Sequence, residues 1–127
     1  MNPGGIRTNM KIIIDLSGLN TEDKVLHKFG EVFEFGGPGG NIPANGPNQG
    51  KGWGFNWDAM NDSFRSLGKG GIWGTSKKFN FPLEIEIINY QEFQESNTKG
   101  FQIMQEILKD QAEEYSKEGK ILKIIYS

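Results

Sequence analysis

The sequence predicts a single small α/β domain: a three-stranded parallel sheet with helices mainly on one face. Three observations carry this. Strand-like apolar runs alternate along the chain with helical patterns, and strands separated by helices pair in parallel through crossover connections. The run Leu83-Glu84-Ile85-Glu86-Ile87 has period two, so the side that carries Glu84 and Glu86 needs water while the other side is buried. With 127 residues, the chain can bury one real core and has little room for a second. The domain is read over residues 1–127.

The elements follow in order. Residues 1–9, with Gly4-Gly5 near the start, read as a flexible tail. Lys11-Ile12-Ile13-Ile14-Asp15-Leu16 is a short β-branched run, the pattern of a strand buried on both sides or nearly so. Ser17-Gly18-Leu19-Asn20 breaks it. A helix then opens with Asn20 or Thr21 as its cap and Val25, Leu26 and Phe29 on its apolar side. His27, the single histidine, reads as a surface residue of that helix. Residues 36–52 contain Gly36-Gly37-Pro38-Gly39-Gly40, Pro43, Gly46-Pro47, Gly50 and Gly52, too much glycine and proline for a regular element, and read as a long inserted loop.

The next segment is the most informative. Asn56 can accept a free backbone N–H of a first helical turn, Phe55 and Met60 stand at the positions of a hydrophobic staple, and Asp58 falls where the helix dipole favours a negative charge. Trp57, Met60, Phe64 and Leu67 recur at helical spacing and form a buried stripe, leaving Asp58, Asn61, Asp62 and Arg65 on the other side. Two like charges at i, i+4 cost a helix about 0.2–0.5 kcal/mol. The pair is therefore either put to use or an ordinary solvated face. Arg65, three residues after Asp62, is placed to pair with it. A second glycine-rich connection over residues 68–74 leads through Pro82 to the period-two strand over residues 83–87. A short amphipathic piece over residues 90–93 comes next. A long helix over residues 98–117 has Phe101, Met104, Leu108 and Tyr115 as its stripe, widened by Ile103 and Ile107. Gly119 suits the residue after its end, and residues 120–126 form a last strand.

Several chemistries are excluded. The chain has no cysteine and one histidine, so it has no disulfide, thiol nucleophile or thiolate zinc site, and no partners for a nucleophilic triad. We read it as not an enzyme. Asp58 and Asp62 offer magnesium two carboxylates, but no third acidic residue follows at a telling spacing. Residues 46–52 are one residue short of a phosphate loop, have Gly52 in place of its Ser/Thr, and follow no strand. Trp53, Phe55, Trp57 and Trp73 lie among Lys51, Lys69, Lys77 and Lys78, and residues 51–78 carry five positive and two negative charges. That pattern leaves a base-stacking RNA surface as an alternative to burial of the aromatics. The overall net charge of −2 does not favour nucleic acid. The start lacks the apolar core of a signal peptide and no apolar run reaches membrane-spanning length, so the chain as given reads as cytoplasmic.

The helix motif Gly54, Asn56, Trp57, Asp58, Ala59, Met60 and Asp62 resembles that of the barstar family, small protein inhibitors of ribonuclease toxins. Phe81-Pro82-Leu83 before the middle strand, Glu114, Glu118-Gly119 and the ending Ile124-Ile125-Tyr126-Ser127 are similar too. The resemblance spans residues 11–127, with residues 36–51 as an insertion beside the expected binding edge. It implies an immunity protein whose acidic helix and preceding loop plug the active-site cleft of a ribonuclease toxin, with carboxylates where substrate phosphate would lie. Carried over by position, Asp62 is the central plug, Asp58 a second charge contact and Glu114 a third. Gly54 and Asn56 shape the approach, Trp53 is an aromatic contact, and Asn61 stands where the family carries a contacting tryptophan. No cofactor is implied, and neither nucleic acid nor a membrane is an expected partner. The alternatives are a barstar-like interaction module with a non-nuclease partner and, behind it, an RNA-binding domain.

Overall fold

Parallel neighbours in a sheet cannot be joined by a tight turn, and among the described residues each junction contains two helices. Strands β1 (Met10–Asp15), β2 (Leu83–Ile88) and β3 (Leu122–Tyr126) lie side by side in that order, all parallel. Helices α1 (Glu22–Val32) and α2 (Trp57–Phe64) come between β1 and β2. Helices α3 (Gln91–Ser96) and α4 (Thr98–Lys117) come between β2 and β3. This computed structural model describes residues 10–35, 40–41, 54–65, 67 and 79–127. The expected tail over residues 1–9 lies outside them, as does the expected loop over residues 36–52 apart from Gly40 and Asn41.

The register explains the burial. Met10, Leu83 and Leu122 align across the sheet, as do Ile12, Ile85 and Ile124, and then Ile14, Ile87 and Tyr126. Leu83, Ile85, Ile87, Ile14 and Leu122 are buried on this side. The intervening positions make the other face. There Lys11 reaches Glu86 at 2.9 Å and Glu84 at 3.5 Å, and the Ser127 hydroxyl donates to Glu86 at 2.6 Å. That hydroxyl, and then Lys11, hold the Glu86 carboxyl below the usual carboxylate range. Water on the Glu84/Glu86 side was the expectation, but these side chains are only 14% and 20% exposed, with Lys11 reaching both and Ser127 reaching Glu86. The reading of β1 as buried on both sides is corrected: β1 is an edge strand, and Ile13 on the open face is 53% exposed.

Caps set the helix starts. The Thr21 hydroxyl accepts from Lys24 N at 3.2 Å to open α1, while the Asn20 side chain receives the Lys24 ammonium. Asn97 accepts from Gly100 N at 3.0 Å to open α4, which runs over the span its periodicity predicts. Gly119, at φ +76°, follows α4 in the left-handed region that glycine enters without strain. Gly40 shows a different need: a Cβ there would lie 2.3 Å from the Gly30 carbonyl oxygen of α1, so only glycine fits.

The densest part of the core is aromatic. Phe33 lies within 5.0–6.1 Å, ring centre to ring centre, of Phe29, Phe35, Phe64 and Phe79, and all five rings are buried. This cluster ties the end of α1 to the inner side of α2. A second group, Tyr90, Phe93, Phe101 and Tyr126, joins α3 and α4 to the end of β3. Among the described residues, no helix is long and apolar enough to cross a membrane.

Candidate functional site

Helix α2 begins as its sequence requires. Asn56 is extended, its side-chain oxygen accepts from Ala59 N at 2.8 Å, and its amide donates to the Gly54 carbonyl at 3.2 Å. One side chain thus caps the helix and closes the approach to it. Phe55 has φ +53°, a region that residues with a Cβ seldom occupy. At this staple position its ring stacks on His27 of α1, with centres 4.6 Å apart. The His27 Nδ1 lies 2.8 Å from the Asp23 carbonyl oxygen, which can only accept, so Nδ1 carries a proton.

Phase then separates the faces. Met60, Phe64 and Leu67 are fully buried, as their spacing predicts. Trp57 is half-buried, and its indole N–H is enclosed with no partner among the described residues. Asp58, Asp62 and Arg65 are exposed on the other side. Asn61 shares their phase but is only partly exposed, because Gln111 of α4 draws it in. The Gln111 amide donates to the Asn61 carbonyl at 3.1 Å and to its side-chain oxygen at 2.7 Å.

One turn further along α4, the buried Tyr115 hydroxyl donates to the Phe64 carbonyl and accepts from Leu67 N at 3.2 Å. Burial pushes its pKa up to about 12, so the phenol keeps the proton that it donates. These bonds add a second partner to the Phe64 carbonyl and the Leu67 N–H, which also meet each other at 3.4 Å just past the end of α2. Gln111 and Tyr115 were not anticipated as anchors. Gln111 did carry a signal, a polar residue on the stripe that runs from Met104 through Leu108 to Tyr115.

Between α2 and α4 lies a groove of about 580 Å³ lined by Asn61, Arg65, Asp110, Gln111, Glu114 and Glu118 among others. Arg65 reaches back to Asp62 at 3.8 Å, and Lys117 pairs with Glu114 at 3.1 Å. Of the residues expected at a binding site, Asn61 and Glu114 meet at this groove, and Asp62 adjoins it through Arg65. Asp58 lies one turn before Asp62 on the open side of α2, and Gly54 and Asn56 form the entry to the helix. Trp53 lies outside the described residues. Among the described residues, no three His, Asp or Glu side chains converge as a metal site. What the arrangement offers is a set of carboxylates held on two packed helices, suited to a basic surface.

The family model described as Barstar (barnase inhibitor) matches residues 46–127. The match takes in α2, β2, α3, α4 and β3; β1 and α1 precede it, although they complete the sheet and the aromatic core. No curated protein matches the chain.

Proposed function

The chain belongs to the barstar family, and from that premise we propose that it is an immunity protein, acting in the cytoplasm against a ribonuclease toxin whose active-site cleft it fills with carboxylates. The family is one of protein inhibitors, so the expected partner is a protein. One observation supports the acidic helix as the contact: α2 is fastened on one side by Gln111, Tyr115 and the phenylalanine cluster, and its free side carries Asp58 and Asp62. A ribonuclease must be positive where phosphate binds, and carboxylates on a fixed helix meet that charge with little further ordering. Glu114 extends the acidic surface across the groove, which Asn61 also lines, while Gly54 and Asn56 shape the approach and Trp53 is proposed as an aromatic contact.

The test is inhibition of barnase and of other ribonuclease toxins by the purified chain, with association rates followed as salt is raised. Stoichiometric inhibition is expected. The association rate should fall steadily with salt, since screening acts beyond a Debye length of about 10 Å at 0.1 M. A chain that inhibits none of these nucleases overturns the function. Inhibition at a rate indifferent to salt overturns the carboxylate plug.

A further inference from the structure

Two of the three carboxylates assigned to the contact are already engaged by cations of their own helices. Asp62 pairs with Arg65 at 3.8 Å and Glu114 with Lys117 at 3.1 Å, each at i, i+3, whereas Asp58 has no ion pair among the described residues. All four paired side chains are more than half exposed. Arg65 also faces Asp110, Glu114 and Glu118 across the groove, a cation set within the acidic surface rather than beside it. We infer that Arg65 and Lys117 are internal competitors for the inhibitor's carboxylates, and that they determine how basic a partner must be before it is accepted. This inference rests on the proposed function, and it adds the rule by which partners are chosen.

The physical argument turns on the weakness of such pairs. An ion pair in water holds its members loosely, so a cleft that presents clustered guanidinium groups displaces Arg65 and Lys117, and both cations swing to solvent. A surface with one or two scattered lysines gains too little from Asp62 or Glu114 to do so and also meets two like charges, which disfavours the wrong partner. Asp58 remains the open charge through which either partner first makes contact. There is a purely structural account: Arg65 follows the last residue of α2 and Lys117 ends α4, where a helix dipole favours cations. That account predicts an effect on stability and none on binding.

The experiment measures the affinity of the full chain for a hexa-arginine peptide and, separately, for barnase. The variants are Arg65→Gln, Lys117→Gln and, as a control at the far end of α4, Lys99→Gln. Each of the first two should tighten peptide binding by about two- to fivefold, the range spanned by exposed ion pairs, and Lys99→Gln should do so clearly less. The gain from Arg65→Gln should shrink in an Asp62→Ala background, because Asp62 is the carboxylate with which Arg65 pairs. Unchanged or weaker peptide binding in Arg65→Gln and Lys117→Gln, or a gain undiminished without Asp62, overturns the inference. The barnase arm reads the function itself. Tighter peptide binding without inhibition of any ribonuclease would leave the competition standing and remove the nuclease.

Discussion

Replacement of Asp62 by alanine is expected to leave the fold intact and to weaken binding to a ribonuclease by about 2–5 kcal/mol, a range to which complexes of this family contribute. The fold should survive because the side chain is exposed and, among the described residues, its one ion pair is the loose one with Arg65. Binding should suffer because the partner's cationic pocket would close over an alanine and keep its own charge without a counterpart. Part of the loss is therefore the cost of that stranded charge. Titration calorimetry of Asp62→Ala beside Glu106→Ala, an exposed acid elsewhere on α4, gives the comparison. Equal affinities for the two variants would remove Asp62 from the centre of the contact.

Phe33→Ala should have the largest effect on stability, a loss of about 3–5 kcal/mol. Small domains have only about 5–15 kcal/mol in total, so the variant should sit near its unfolding threshold. The ring is fully buried against four other phenylalanines, and its removal leaves a void that none of them can fill without leaving its own contacts. Phe64 belongs to the same cluster and forms the inner side of α2, so the variant should lose affinity along with stability. Phe33→Leu should recover part of both. Urea unfolding is the measurement, and a loss under about 1 kcal/mol for Phe33→Ala would show that the cluster does not hold the core.

Periodic signals were the legible ones. The span of α4, the cap Asn56, the three parallel strands and the buried trio Met60, Phe64 and Leu67 follow from spacing and capping chemistry, which act over a few residues. For α1 the same signals leave Asn20 and Thr21 both open, and Thr21 is the cap. The open face of β1 was not legible. Three consecutive isoleucines look the same whether helices cover one face of a strand or two, and only the placement of the helices in the fold decides. Phe33, Phe35 and Phe79 lie at a helix end and in connections, where no repeat marks a residue as core. At the site, the exposure of Asp58 and Asp62 followed from helical phase. Asn61 has the same phase, but its surroundings are set by Gln111 from another helix, and no local pattern records such a contact.

The fastening of α2 by α4 also has a consequence in time. The helix is complete once Phe64 has been made, yet the side chains that hold it come 48 to 51 residues later in the chain. A ribosome adding about 5–20 residues per second needs about 3–10 s to cover that interval. Until Gln111 and Tyr115 emerge, the acidic helix is held from the α1 side alone, and a nascent chain halted at Lys109 should bind barnase less tightly than the finished one. Under the proposed function, inhibitor whose synthesis begins only when the nuclease appears cannot meet it for that interval.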